Sequence, residues 1–126
     1  VSSLLGKFGV SNRSAYAASK HALHGFFDSL RLELHDSGVH ITLACPGFVQ
    51  TNASLNALTS DGTPQGKMDE DLLGGMDAQD CAEKILHAIQ QRRQEVYLGR
   101  NERLAAYLNR MSPRLFQRIL RNRQLK

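Results

Sequence analysis

The clearest hydrophobic pattern in the chain begins at Ser14. From there to His35, Gly25 is the only glycine and there is no proline, and apolar side chains recur mostly at steps of three and four residues. These side chains are Tyr16, Leu23, Phe26, Phe27, Leu30 and Leu34. The spacing predicts a helix over 14–35, ended by Ser37-Gly38, because a glycine readily takes the left-handed conformation that follows many helices.

Two short segments have the composition of strands buried in a parallel sheet. Residues 39–45 are apolar and rich in β-branched side chains, with Pro46-Gly47 as the expected stop, and 95–99 form the second strand. A helix over 77–94 is predicted between them, with Asp77 as its N-cap and Asp80 in its first turn. Its apolar face, expected to be core, comprises Cys81, Ala82, Ile85, Leu86 and Ile89. Residues 39–99 therefore predict a βαβ unit with a right-handed crossover.

The remaining segments have different patterns. Residues 1–9 suit the end of a strand that passes into a tight loop, which runs to about Asn12. Residues 48–76 keep no period, and a loop of that length inside a domain indicates a substrate lid. The tail over 102–122 has an apolar stripe at helical spacing, interrupted at Ser112-Pro113.

These elements predict an α/β fold built on a parallel sheet. Two strands and part of a third cannot cover both helices, so we expect the rest of the sheet to lie upstream of Val1. The chain begins without methionine, so we interpret it as a fragment. The expected units are 1–99, the C-terminal part of the sheet domain, and 100–126, a basic amphipathic tail.

Composition narrows the class of protein. With 41% hydrophobic and 22% charged residues the chain is ordinary for a globular domain, and no apolar run approaches the roughly 18 residues of a membrane span. The N-terminus also lacks the pattern of a signal peptide. Cys45 and Cys81 are too few for a disulfide scaffold, which favours a reducing, cytoplasmic location and a buried, unreactive Cys45. His21 and His24, three residues apart, have no third ligand nearby in sequence, so no metal site is predicted.

Charge is concentrated at the C-terminal end. The net charge is +4, of which residues 100–126 contribute +7 and residues 1–99 contribute −3. A slightly negative body argues against a general nucleic-acid-binding domain. For the tail three interpretations stay open: packing on the domain or a second subunit, attachment to an anionic membrane surface, and, least favoured, nucleic-acid binding.

Candidate chemistry lies at the start of the first helix. Tyr16 and Lys20 are four residues apart, so a helix places them on one face, one turn apart. A phenol titrates near pH 10, too high for acid/base work at neutral pH, and a neighbouring cation lowers that pKa. The Ser3 hydroxyl, in the loop before the helix, could hold a carbonyl oxygen beside the phenol. On spacing alone a Tyr and a Lys at this distance are far more often structural than catalytic.

The wider arrangement resembles the C-terminal half of the short-chain dehydrogenase/reductase family. Ser3 stands thirteen positions before the Tyr of the Tyr-x-x-x-Lys motif at 16–20, and Pro46 to Thr51 match Pro-Gly-x-(Val/Ile)-x-Thr after a strand. Residues 13–21, 26–28, 51–54, 56–57 and 61–62 further resemble the animal subgroup named dehydrogenase/reductase member seven and its bacterial relatives. The resemblance covers about residues 1–120 and implies an α/β fold, the C-terminal part of a doubly wound, parallel-sheet Rossmann fold.

This resemblance implies a function and roles for individual residues. Tyr16 would exchange a proton with a substrate carbonyl or alcohol and also contact the cofactor. Lys20 would assist it and bind the nicotinamide ribose, and Ser3 would orient the substrate oxygen. Pro46, Gly47, Val49 and Thr51 would lie along the nicotinamide, Val49 and Thr51 holding its carboxamide. The expected cofactor is NAD or NADP, with NADP favoured, and the expected reaction interconverts a ketone and a secondary alcohol.

The family's glycine-rich turn, its residue that selects NAD or NADP and its catalytic Asn would all precede Val1. Without that turn, we expect this chain alone to be inactive. Expected partners are a small carbonyl or alcohol substrate, a second copy contacting helix 14–35, and a membrane surface contacting 100–126. Nucleic acid is not expected. The alternative is a non-catalytic relative that acts as a dimerisation or membrane-surface module.

Overall fold

The computed structural model describes residues 1–53, 55–59, 61–64, 66 and 70–124. Its elements, in chain order, are a 3-10 helix at Leu4–Gly6, α1 at Ser14–Glu33, β1 at Leu43–Pro46, α2 at Glu70–Leu73, α3 at Ala78–Gln90, β2 at Glu95–Leu98, α4 at Arg103–Met111 and α5 at Pro113–Gln124. The α/β class is confirmed. Among the described residues, no helix is both long and apolar enough to cross a bilayer.

Strands β1 and β2 pair in parallel, in a register that runs from Leu43 opposite Glu95 to Pro46 opposite Leu98. The backbone N–H of Ser2 donates to the carbonyl of Ala44 across 2.7 Å, so the N-terminal residues lie along the other edge of β1. The prediction of a strand over 39–45 was wrong at both ends. The ladder begins only at Leu43, because the Arg93 carbonyl accepts from the Thr42 hydroxyl instead of a backbone N–H, and it includes Pro46, the predicted stop.

Helix α1 confirms the prediction for 14–35 to within two residues, and Gly38 has the left-handed φ of 77° expected of a residue that follows a helix. The 3-10 helix at Leu4–Gly6 packs closely against α1. A Cβ at Gly6 would stand 2.6 Å from His24 Nε2 and 2.7 Å from Ser2 Oγ. Only glycine therefore fits at this crossing without displacement of a neighbour.

Helix α3 begins as predicted, with the Asp77 carboxylate accepting from the N–H groups of Gln79 and Asp80 at 2.8 and 3.2 Å. It ends at Gln90 rather than near 94, because Arg92 takes a left-handed φ of 52° that ends the helix. The expectation that its whole apolar face is core was also wrong. Cys81 and Ala88, seven residues apart, are buried on one stripe, whereas Leu86 and Ile89 lie on the next stripe and are exposed.

The main core joins the tail to the body. Leu4, Phe8 and Cys45 are buried in one cluster with Ala106 of α4 and Phe116 of α5. The Phe8 and Phe116 rings meet edge-on, with centroids 5.0 Å apart. The predicted tail helices are confirmed, and their break falls at Ser112, before Pro113. One side of the tail is therefore packed on the domain through long-range contacts.

The segment predicted to be a lid, 48–76, is closed at its base. The N–H of Met76 donates to the carbonyl of Phe48, and the N–H of Gln50 donates to the carbonyl of Met76, at 2.8 and 2.9 Å. Gly75 lies against the Phe48 carbonyl, where a Cβ would approach to 2.6 Å. The prediction also covers residues 54, 60, 65 and 67–69, which lie outside the described residues. The described part leaves and returns at one point beside the end of β1.

Candidate functional site

Tyr16 and Lys20 lie one turn apart on α1, as their spacing predicts. The Lys20 ammonium stands 5.5 Å from the centroid of the Tyr16 ring and donates to the carbonyl of Val1 over a long 3.4 Å. Tyr16 is 45% exposed. A cation thus lies beside the ring of a solvent-accessible phenol.

The hydroxyl of Ser3 caps the 3-10 helix. It accepts from the backbone N–H of Leu5 at 3.2 Å and donates to the carbonyl of Pro46 at 3.4 Å. Ser3 and Pro46, two of the candidate residues, are therefore in direct contact, whereas in the described part of the chain no hydrogen bond joins Ser3 to Tyr16. Because 3.4 Å is a long distance for a hydroxyl donor, Ser3 can redirect its proton to another acceptor at low cost.

Gly47 extends the ladder, since its N–H donates to the carbonyl of Leu98 at 2.7 Å. The space where its Cβ would lie is filled by the Glu102 side chain, whose Cγ and Oε1 stand 2.7 Å from that point. A Cβ at Gly99 would be 2.5 Å from the same Oε1. Two glycines at the carboxyl ends of β1 and β2 thus make room for one carboxylate. Sequence reasoning missed Glu102 as a residue of this edge.

Val49 and Thr51 follow β1 at the base of the 48–76 segment. Neither the N–H nor the carbonyl of Val49 has a hydrogen-bond partner in the described part of the chain, although its neighbours Phe48 and Gln50 both bond to Met76. The Thr51 hydroxyl accepts from the N–H of Ala53 at 3.3 Å and is exposed. This stretch therefore presents one backbone donor, one backbone acceptor and a hydroxyl, the set that recognises an amide group.

Behind this exposed face, α1 and the sheet hold a polar cluster of Ser2, Lys7, His24, Cys45 and Glu95. We call it the buried cluster after Ser2, His24 and Cys45, which are buried, whereas Lys7 and Glu95 are half-buried at its edge. Ser2 Oγ lies 3.1 Å from His24 Nε2 and donates to the carbonyl of Lys20 at 3.4 Å. On the other side of the ring, His24 Nδ1 lies 3.4 Å from Glu95 Oε1. The cluster thus links β2 through a buried histidine to the backbone of Lys20.

Charge in the buried cluster is balanced by an ion pair. The Lys7 ammonium stands 2.7 Å from Glu95 Oε1, and the Cys45 thiol donates to the same oxygen at 3.5 Å. Burial lowers the pKa of His24, an effect that Lys7 reinforces and Glu95 opposes. Burial and the Glu95 carboxylate raise the pKa of the Cys45 thiol to about 12. At neutral pH Cys45 is therefore a thiol, and its expected burial is confirmed.

The buried cluster could not be found by local spacing. His24, Cys45 and Glu95 offer ligand-type atoms within 4.8 Å of one another, although 21 residues separate the first two and 50 the last two. The sequence hints at this cluster only through two polar residues, His24 and Glu95, that occupy positions in a helix and a strand close to the predicted sheet. Their positions do not indicate that the two side chains contact each other.

Comparison with known proteins agrees with the motifs. A short chain dehydrogenase family model matches residues 1–61. Dehydrogenase/reductase SDR family member 7B from rat and from zebrafish, Danio rerio, are each 41% identical over the whole chain. Dehydrogenase/reductase SDR family protein 7-like from Anopheles gambiae is 43% identical, again over the whole chain.

The aligned regions make up 39%, 41% and 40% of the rat, zebrafish and mosquito proteins. The chain thus spans about two fifths of the length of the curated relatives it matches. The family match begins at Val1 and contains Ser3, Tyr16, Lys20 and the Pro46 to Thr51 motif. By its sequence, this chain is similar to the short-chain dehydrogenase/reductase family.

Proposed function

We propose that the chain is the C-terminal portion of an NAD(P)-dependent oxidoreductase that interconverts a ketone and a secondary alcohol, with Tyr16 as its acid/base. The observation that carries the proposal is the Lys20 ammonium 5.5 Å from the ring of an accessible Tyr16, within the family motif. Dehydrogenase/reductase relatives that match over the whole chain support the reaction class.

In this proposal the Tyr16 hydroxyl gives a proton to the substrate oxygen during ketone reduction and takes it back during alcohol oxidation. The Lys20 ammonium would stabilise the negative charge that develops on the phenol oxygen while the proton is away. Among the described residues, the ammonium makes one hydrogen bond, a long one to the Val1 carbonyl, which leaves donors available for ribose hydroxyls. The same side chain would then serve the phenol and the cofactor.

Ser3 positions the substrate oxygen. Its hydroxyl would exchange the 3.4 Å bond to the Pro46 carbonyl for a shorter bond to the substrate carbonyl, while still accepting from the Leu5 N–H. A donor held in place by the 3-10 helix stabilises negative charge as it develops on that oxygen. Substrate binding would therefore cost little reorganisation at Ser3.

The residues present fit a nicotinamide. The Val49 N–H and carbonyl match the acceptor and donor of a carboxamide, and the Thr51 hydroxyl lies two residues further along. When bound, the cofactor supplies or accepts the hydride. We propose NADP rather than NAD on family resemblance alone. Residues 48–76, closed at their base by Met76, would exclude water from the site as a lid.

The test uses the full-length protein that contains this chain. Hydride transfer is followed by nicotinamide absorbance with NADPH or NADH and a panel of ketones, for the wild type, for Tyr16→Phe and for Tyr107→Phe. Tyr107 is a matched control because it is a comparably exposed tyrosine on α4. We expect Tyr16→Phe to lower kcat about 10²–10⁴-fold, the usual contribution of a general acid, and Tyr107→Phe to change it less than about threefold.

Cofactor Kd, measured by fluorescence titration, separates a loss of chemistry from a loss of cofactor binding. The Kd should differ less than about tenfold between the two variants, because a single hydroxyl contributes only a small part of cofactor binding. Saturable cofactor binding with equal turnover in both variants would contradict the role of Tyr16. Failure of the wild type to bind either cofactor or reduce any ketone would favour the non-catalytic alternative, a dimerisation or membrane-surface module.

We also propose that the enzyme self-associates through α1. Phe26 and Leu32 are 62% and 79% exposed, and Phe26 meets Phe27 edge-on with ring centroids 5.1 Å apart. Apolar side chains exposed in this way on one long helix favour pairing with another protein surface. Sedimentation velocity should give an oligomer for the wild-type protein and a smaller species for Phe26→Asp. An unchanged oligomer in Phe26→Asp would contradict this interface.

A further inference from the structure

The outer side of α4 and α5 carries an apolar stripe that the described chain leaves uncovered. We call it the tail face, and it comprises Leu104, Tyr107, Met111, Leu115 and Ile119. Met111 is 85% and Leu104 58% exposed. Ala106, on the opposite side of α4, and Phe116, on the adjoining side of α5, are buried in the main core. The tail face is therefore distinct from the residues that hold the tail to the domain.

Arginines border the tail face. The exposed arginines described in these helices are Arg103, Arg110, Arg114, Arg118 and Arg121. At 100° per residue, Arg103 and Arg110 fall beside the stripe of α4, and Arg114, Arg118 and Arg121 fall beside that of α5, away from the core. None of the five makes an ion pair with another described residue, and no acidic residue follows Glu102 in the sequence. Positive charge and apolar surface thus occupy the same outward side.

We propose that the tail face binds an anionic lipid bilayer. Helices with arginines beside Leu, Met and Ile lie in the interface of such a bilayer, with apolar side chains among the acyl chains and guanidinium groups at the phosphates. Pro113 interrupts the helix, so α4 and α5 turn two short stripes outward instead of one long one. The inference is independent of the proposed oxidoreductase activity, because it uses none of the candidate catalytic residues.

The charge of the tail argues against a second copy of the chain on the tail face, and the apolar side chains argue against nucleic acid. In a symmetric dimer through the tail face, two segments of +7 each would meet, and like charges repel across such an interface. Nucleic acid would match the arginines but would leave Leu104, Met111, Leu115 and Ile119 in water, since the tail face has a single aromatic ring for base stacking. A bilayer with acidic headgroups satisfies the arginines and the apolar side chains together.

The test is vesicle co-sedimentation of the full-length protein. It compares phosphatidylcholine vesicles with and without about 30% phosphatidylserine. The variant Arg114→Gln/Arg118→Gln removes two tail charges, and Arg92→Gln/Arg93→Gln removes two exposed charges at the end of α3 as the matched control. Each arginine near an anionic surface strengthens binding by roughly fivefold, so we expect the tail variant to lose roughly 10–30-fold in affinity and the control less than about threefold.

Because both variants share the rest of the protein, any membrane affinity from outside the tail cancels in the comparison. A second variant, Met111→Ser/Leu115→Ser, should also weaken binding, and its unchanged Tm would show that the fold is intact. Equal binding of the tail and control variants, or equal binding to vesicles with and without phosphatidylserine, would overturn the proposal. So would a dimer lost only in the tail variant, or RNA binding that exceeds vesicle binding.

Discussion

Two neighbouring turns on one face of helix α1 differ in how they relate to function. At the first, residues 16–20, which we call the exposed side, Tyr16 is accessible, with the Lys20 ammonium beside its ring. One turn further on, at what we call the buried side, His24 packs in the buried cluster and is bonded to Ser2, which in turn donates to the backbone of Lys20. In the proposed function the exposed side supplies the groups that exchange protons with a substrate, whereas the buried side holds those groups in position.

Local and long-range contacts contribute differently to the position of the candidate groups. The exposed pair lies within one turn of helix, so local geometry alone brings it together. Its position relative to Ser3, however, depends on long-range contacts: Gly6 against His24, Ser2 against Lys20, and Ser3 against Pro46. Substitutions on the buried side should therefore affect stability and alignment, and substitutions on the exposed side should affect chemistry with little loss of stability.

Thiol reactivity should separate the two sides most strongly. With its pKa raised to about 12 and no exposed surface, Cys45 should react with iodoacetamide at pH 8 at least about three orders of magnitude more slowly than an exposed cysteine. Ala18→Cys, on the exposed side of α1, supplies the comparison. Peptide mapping by mass spectrometry gives both rates in one sample. Comparable rates at the two positions in folded protein would contradict the burial of Cys45.

The crossing at Gly6 gives the next largest effect. Gly6→Ala places a Cβ 2.6 Å from His24 Nε2, so the 3-10 helix must shift, and we expect a loss of about 1–3 kcal/mol in the free energy of unfolding. Gly9→Ala is the control, because no heavy atom lies within 4 Å of its Cβ. Urea unfolding of the full-length variants measures both. A Gly6→Ala variant as stable as Gly9→Ala would show that the crossing is loose.

His24 should add a smaller, pH-dependent effect. Its pKa is below 6.5 in the folded protein, through burial and Lys7, with His21 in the same direction and Glu95 and Asp28 opposed. Between the folded value and 6.5 the unfolded chain binds more protons, so stability falls as the pH drops through this window and is unaffected by His24 above it. In His24→Gln, the urea midpoint should change less with pH between about pH 7.5 and 5.5 than it does in the wild type. An equal slope in both proteins would contradict a depressed pKa.

Features that depend on residues close together in the sequence could be predicted, whereas contacts between distant segments could not. Periodicity located α1, and the N-cap at Asp77 was identifiable because a capping residue acts on N–H groups two and three positions away. Strand ends were displaced, since β1 extends only as far as β2 pairs with it. The Glu95 and His24 contact, and Glu102 against Gly47 and Gly99, join distant segments and have no local signature. Motif spacing thus indicated Tyr16 and Lys20 as candidates but did not indicate the residues that hold them in position.

The most direct test of the acid/base proposal is hydride transfer by the full-length enzyme in the direction of alcohol oxidation, measured at saturating cofactor for wild type, Lys20→Met and Lys20→Arg. Saturation removes the contribution of Lys20 to cofactor binding, so kcat reports the effect of the ammonium beside Tyr16 on proton transfer. We expect Lys20→Met to lower kcat about 10²–10³-fold and Lys20→Arg to restore part of the loss. An unchanged kcat in Lys20→Met, with only the KM for cofactor raised, would contradict the proposal.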